Sequence, residues 1–356
     1  MTAPAAAMFG ARAHGGPGAH GAARWDFSTN ANAAGPCPSA LQAVRQADPS
    51  RYPDPDYHAL RERLAAWHGV APQRVLLAAS ASEFIQRMTA VSGRLAPGAV
   101  ALPLHAYGDY AVAAHACGRH TVVEREPAAC GRPATHAVTL RWCTDPGSPL
   151  GQAAPPPDDL DRTTTVLDSA YAPLRLQGTP AWSRDAKDRA FEVHSPNKAL
   201  GLTGVRGAYV LAPADTTAPH QQLVAALRAA EPSWPLGAHA VALLTAWTEP
   251  ETQQWLAQSL SVLRGWTHEL RSGLQALGLA PQPSVTPFLC ARRPAAASAD
   301  WLRERGLAVR CTASFGLPGQ MRVSAQPPEA TAALLQAMAD ALRLPDHTPD
   351  SEESTP

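Results

Sequence analysis

Along the chain, short apolar runs alternate with segments whose apolar residues recur at helical spacing. Residues 74–78 predict a strand and 81–95 a helix. Further strand patterns follow at 100–102, 120–123, 137–142, 164–167, 191–193 and 208–211, with a helical pattern at 109–117. Strands separated by helices need crossover connections, which predicts an α/β fold with a mainly parallel sheet between helices. From about Pro235 the pattern changes. A long helical region, 239–277, is broken near Pro250, and strand-like 287–291 and 321–324 precede a closing helix at 329–342. The division this implies is a large domain over 49–234, then an interdomain helix and a smaller α+β domain over 235–344. The segment 25–48 is expected to complete the smaller domain. Residues 1–24 are rich in Ala and Gly and read as a flexible arm, and the polar tail 345–356 reads as disordered.

Composition narrows the classes. A chain of 356 residues has room for about two domains and for a core that needs neither disulfides nor a structural metal. Acidic and basic residues balance at 30 each, so no global field attracts nucleic acid or an anionic membrane, and neither is expected as a partner. The longest uncharged apolar stretch, 236–248, falls short of the ~20 residues that cross a bilayer. With no apolar run behind a charged N-terminal region, the expectation is a cytoplasmic protein. The six cysteines form no C-x-x-C pair and have no histidine at zinc spacing, so they read as buried reduced thiols with no metal site. Only Lys187 and Lys198 are lysines, the other basic residues all being arginine. Chemistry that needs a primary amine therefore has two candidates.

Lys198 follows a predicted strand and opens a Gly-punctuated loop, where open α/β sheets hold ligands, and is a candidate for Schiff-base chemistry. A solvated loop lysine is the plainer alternative. Asp168 ends an apolar strand, with Tyr171 three residues on; it reads either as a helix cap or as a carboxylate held to pair with a protonated ring nitrogen. Ser80-Ala81-Ser82-Glu83 fits a capping box and, as a helix start, also fits an anion site.

Together these pieces resemble the fold-type I pyridoxal-phosphate enzymes, the aspartate aminotransferase superfamily. Ser195-x-x-Lys198-x7-Arg206 matches the family's Schiff-base lysine with flanking phosphate ligands. The resemblance implies that Asp168 pairs with the ring nitrogen, that Tyr171 binds the ring oxygen, and that Tyr107 stacks on the ring. It further implies that Ala81 and Ser82 help to hold the cofactor phosphate, that Arg322 grips the substrate carboxylate, and that Tyr52 reaches the phosphate in a neighbouring subunit. A homodimer with shared active sites follows. Two departures stand out: Ser148 replaces the family's asparagine at the ring oxygen, and Ala78-Ala79-Ser80 lacks two usual glycines.

The start of the chain, with His14, Asn30-Ala-Asn32 and Arg51-Tyr-Pro-Asp-Pro, is similar to threonine-phosphate decarboxylases of cobalamin biosynthesis, close relatives of histidinol-phosphate aminotransferases. His14 and Asn32 are then expected near the substrate. The leading expectation is decarboxylation of threonine phosphate to aminopropanol phosphate. The alternative is an aminotransferase acting on a phosphorylated or plain amino acid. A third reading, motivated by Ser148, is a fold-type I protein that binds without turnover.

Overall fold

A computed structural model describes residues 15–17, 21–124, 137–214 and 217–344. The chain begins with β1 (Trp25–Asp26), α1 (Pro38–Gln46) and α2 (His58–His68). Then come β2 (Val75–Ala78), α3 (Ala81–Leu95), β3 (Ala99–Pro103), α4 (Gly108–Ala116), β4 (Thr121–Glu124), β5 (Val138–Thr144) and β6 (Thr164–Asp168). They are followed by α5 (Arg184–Asp188), β7 (Phe191–His194), β8 (Ala208–Leu211) and α6 (Ala218–Ala229). α7 (Ala238–Trp247) and α8 (Pro250–Ala276) lead into β9 (Phe288–Arg292), α9 (Ala299–Glu304) and β10 (Leu307–Ala308). β11 (Arg310–Cys311), β12 (Gln320–Ser324) and α10 (Pro328–Arg343) close the fold.

Seven strands form one sheet in the order β2-β8-β7-β6-β5-β3-β4. All neighbours from β7 to β4 pair in parallel, whereas β8 runs antiparallel to both β2 and β7. The mainly parallel sheet expected from the sequence is present, with one reversed strand. Its cause is local: the segment 195–207 forms no crossover helix, so the chain turns back on itself. Every residue of β2 and β8 is buried, as in strands covered on both faces. Leu76 packs on one face with Phe84, Met88, Tyr110 and Leu227 of α3, α4 and α6. Its neighbours Val75 and Leu77 point the other way, against Leu64, Leu243 and Leu244 of α2 and α7.

A smaller antiparallel sheet, β11-β12-β9, packs on α8 and α10 around Leu270, Leu274, Met321, Val323, Leu334 and Met338. Phe27 joins this core, and β1 pairs with β10. α1 does not join it; Ala40 and Val44 pack into the core of α2 and α7 under the large sheet. The part of the N-terminal segment that joins the small core thus ends before Pro38, short of the expected 48. α8 bridges the two bodies, with Leu256 and Leu263 in the large core and Leu270 and Leu274 in the small one.

Within the expected arm, Gly16 N–H donates to Ser28 Oγ at 2.8 Å, so this stretch is docked. Residues 1–14, 18–20 and the tail 345–356 lie outside the described residues. Cys37 and Cys290 are buried, but Cys117 and Cys311 are exposed, contrary to expectation, because they sit at the end of α4 and on the edge strand β11. Among the described residues no helix is long and apolar enough to cross a membrane.

Candidate active site

The C-terminal ends of β5, β6 and β7 and the start of α3 converge on one side of the large sheet, the place where open α/β sheets hold ligands. Ser80 caps α3 by accepting the Glu83 N–H at 3.1 Å, while Glu83 Oε2 accepts the Ala79 N–H at 3.2 Å. This box leaves the first-turn N–H groups of Ala81 and Ser82 without intrahelical partners. Ser82 Oγ lies 3.3 Å from the Tyr107 hydroxyl at the start of α4. Burial raises the Tyr107 phenol above its ordinary range.

Asp168 stands at the end of β6 with both oxygens engaged. Oδ1 accepts the Ala170 N–H at 2.9 Å, and Oδ2 accepts the Tyr110 hydroxyl at 2.7 Å. Tyr171 places its ring 5.3 Å from Lys198 Nζ, and its hydroxyl accepts from Asn30 Nδ2 at 3.4 Å. The edge of Tyr171 meets Phe288 at 4.9 Å, which links the large sheet to β9 of the small one.

The two lysines separate clearly. Lys187 Nζ donates to Glu192 Oε1 at 2.7 Å, in a cluster with Ser169 Oγ at 2.8 Å and His194 at 3.5 Å. Burial pushes the Glu192 carboxyl up, but His194 and Lys187 outweigh it and hold it below the ordinary range. Beside them, burial and the neighbouring His194 push His68 down to about 3. Lys187 is committed to this ion pair. Lys198 is half-buried in the turn after β7 and makes no hydrogen bond through its amine among the described residues. Its loop is fixed by the backbone: Asn32 N–H donates to Lys198 O, and Cys37 N–H to Leu200 O, each at 2.9 Å. At Gly201, φ is +66°, and a Cβ would fall 2.7 Å from the Gly35 carbonyl oxygen, so only glycine lets the two segments meet.

Arg322 on β12 is 6% exposed. Nη1 donates to Ser148 Oγ at 2.9 Å and Nη2 to Ser28 O at 2.8 Å, while Nε is buried with no partner. Both partners are neutral, and burial lowers the guanidinium from its ordinary range. Ser148 is held on a loop whose Asp145 is paired with Arg175 at 2.6 Å. A second buried guanidinium, Arg310, faces Phe315 at 4.9 Å, and Arg322 faces the same ring at 5.8 Å.

A model of the family described as aminotransferase class I and II matches residues 25–342. The chain belongs to this family. The class I and II aminotransferases are pyridoxal-phosphate enzymes, and pyridoxal phosphate is the cofactor here. A relative, histidinol-phosphate aminotransferase 1 of Thiobacillus denitrificans, is 30% identical, covering 93% of this chain and 88% of its own. Two solved structures share the fold. Histidinol-phosphate aminotransferase from Sinorhizobium meliloti, in complex with pyridoxal-5'-phosphate, superposes with a TM-score of 0.70 at 21% identity, covering 91% of this chain and 92% of its own. L-threonine-O-3-phosphate decarboxylase from Porphyromonas gingivalis does so at 0.74 and 19%, covering 89% and 99%. The fold therefore accommodates both activities, and the sequence relationship favours the aminotransferase over the decarboxylase expected first.

The residues present fit this aminotransferase cofactor: Lys198, whose amine has no hydrogen-bond partner among the described residues, stands 5.3 Å from the Tyr171 ring, and the Asp168 carboxylate lies three positions before Tyr171. Asn32, expected near the substrate, is placed differently. Asn32 is spent inside the fold, its Nδ2 donating to Ala199 O at 3.0 Å and to Ser259 Oγ at 2.8 Å. It splints the lysine loop instead of facing a substrate, and Asn30 takes the position at Tyr171. Tyr52 is 78% exposed, stacked on Trp234 at 4.4 Å, and Arg206 is also exposed. Ser195 donates its hydroxyl to Asn197 Oδ1 at 3.0 Å. His14 lies outside the described residues. Tyr110 and Arg310 were not anticipated. Asn30 stood only within the Asn30-Ala-Asn32 stretch that carries the resemblance, and Tyr110 had no signal beyond lying three residues after Tyr107.

Proposed function

We propose that this chain transfers an amino group between histidinol phosphate, or a closely similar phosphorylated amine, and a 2-oxo acid. The observation that carries this reading is the pair of buried guanidiniums, Arg310 and Arg322, each facing the Phe315 ring, with Arg310 also donating to Cys311 O and Ser314 Oγ. A phosphate monoester brings close to two negative charges and several acceptor oxygens, and guanidinium forks match that geometry. In the second half of the exchange, Arg322 takes the 2-oxo acid's carboxylate. The near-full-length similarity to a histidinol-phosphate aminotransferase supports the same reading.

Bound pyridoxal phosphate supplies an electron sink for charge that develops at the substrate carbon. Lys198 would hold the cofactor through its amine and carry a proton at that carbon. Asp168 would pair with the ring nitrogen, Tyr171 and Ser148 with the ring oxygen, and Tyr107 would lie against the ring. The N–H groups of Ala81 and Ser82, the hydroxyl of Ser195, which rotates to suit its partner, and Arg206 hold the phosphate. Tyr52 of a second copy completes that cup, so the working unit is a homodimer. The exposed stack of Tyr52 on Trp234 supports this arrangement.

Purified holoenzyme incubated with histidinol phosphate and 2-oxoglutarate should release glutamate. With threonine phosphate alone it should release no aminopropanol phosphate. The reverse pattern would return the decarboxylase reading, and neither product would leave a binding protein.

A further inference from the structure

We infer that Tyr110 is a positioning residue: its phenol fixes how the Asp168 carboxylate faces the cofactor and so where the proton at the ring nitrogen rests. The inference depends on the role proposed for Asp168 above.

Tyr110 is fully buried, and its ring lies parallel on Trp142, with centroids 4.7 Å apart and planes 10° apart. Tyr107 meets it edge-on at 5.8 Å. Held on two sides, the ring cannot swing away, and a buried phenol needs a partner. That partner is Asp168 Oδ2 at 2.7 Å. The Ala170 N–H holds the other oxygen at 2.9 Å. One donor on each oxygen sets the plane of the carboxylate, and this half-buried group keeps acceptor capacity beyond those two bonds. Burial and the nearby Asp168 raise the Tyr110 phenol well above its ordinary range, so it stays a donor throughout the working pH range. A donor on a carboxylate stabilises its charged form. Tyr110 therefore leaves the shared proton with the ring nitrogen, where it lets the ring accept charge. Without the phenol, Asp168 draws that proton towards itself.

The test uses holoenzyme loaded with pyridoxal phosphate labelled with nitrogen-15 in the ring, whose resonance reports protonation of that atom. In Tyr110→Phe, which keeps the ring on Trp142, the resonance should move part of the way to the unprotonated position, and in Asp168→Asn all the way. Turnover in Tyr110→Phe should fall about 10–100-fold with KM little changed, as when other outer-shell partners are removed. Added to Asp168→Asn, the same change should cost less than about twofold, because the two act as one unit. A wild-type resonance in Tyr110→Phe, or an equal loss in both backgrounds, would overturn the inference. Should Tyr110→Phe not fold, 3-fluorotyrosine at position 110 keeps the shape with a stronger donor and should move the resonance the opposite way; an unmoved resonance overturns it equally. If Asp168→Asn itself leaves resonance and rate unchanged, the role given to Asp168 fails, and the fault lies there.

Discussion

The floor and the rim of the site are built differently. On the floor, Tyr110 holds Asp168 and Asn30 holds Tyr171 through bonds made within the chain, and Trp142 and Phe288 back the two tyrosines. At the rim, Tyr52 and Arg206 stand exposed, and the hydroxyl of Ser195 is turned to Asn197. One chain thus preorganises the floor by itself. Under the proposed reading the rim groups Tyr52, Arg206 and Ser195 hold the cofactor phosphate, and ligand and a second subunit complete them.

The sharpest way to break this contrast is at the floor. Lys198→Ala should lower turnover by about 10³-fold or more, because the nucleophilic amine is lost. Borohydride reduction of the wild-type holoenzyme followed by peptide mapping should place the cofactor on Lys198. A label on Lys187, which is paired with Glu192, would undo the assignment.

A smaller loss is expected where the floor meets the substrate. Arg322→Lys keeps the charge but loses the fork that reaches Ser148 and Ser28, and kcat/KM should fall about 10–100-fold, mostly through KM. Steady-state kinetics with the 2-oxo acid varied would show it. A change in kcat alone would mean that Arg322 acts on chemistry and not on binding.

The rim is tested by mixing subunits. Tyr52→Phe and Lys198→Ala chains, each weak or inactive alone, should together regain activity on subunit exchange, since about a quarter of all sites then carry both native residues. No recovery after demonstrated exchange would make Tyr52 a residue of its own chain.

The smallest effect concerns the support behind the floor. His68 is held at about 3 in the fold, well under the ordinary histidine value near 6.5, so below pH 6.5 the unfolded chain binds a proton that the folded chain refuses. Its contribution to stability is complete above about pH 6.5 and is lost as the pH falls towards 3. Denaturant titrations should show stability falling by about 1 kcal/mol per pH unit between pH 6 and 5, and His68→Gln should flatten that slope. An unchanged slope would show that His68 is not the group refusing the proton.

How much of this was legible in the sequence differs along the chain. The fully buried strands were, because cover on both faces writes them as continuous apolar runs such as 75–78 and 208–211. α1 was not: it has only nine residues, and its place is set by packing of Ala40 and Val44 against α2 and α7. Within the site, Lys198, Asp168 and Tyr107 were legible because the motif around each is local. Tyr110 was not, since its meaning comes from a carboxylate 58 positions away. That Asn32 turns to Ala199 and Ser259 while Asn30 turns to Tyr171 is not written in the sequence. The chain bends and turns through 28–34, so no strand or helix period assigns either side chain to a face.

The docking of residues 32–37 on the lysine loop also bears on how the molecule reaches its native state. Asn32 and Ala199, bonded at 3.0 Å, are 167 positions apart. Closing so long a span costs chain entropy before any contact repays it, and such contacts form slowly. During synthesis the first partner emerges long before the second exists. A nascent chain therefore lacks this tether on the lysine loop until residue 199 has been made.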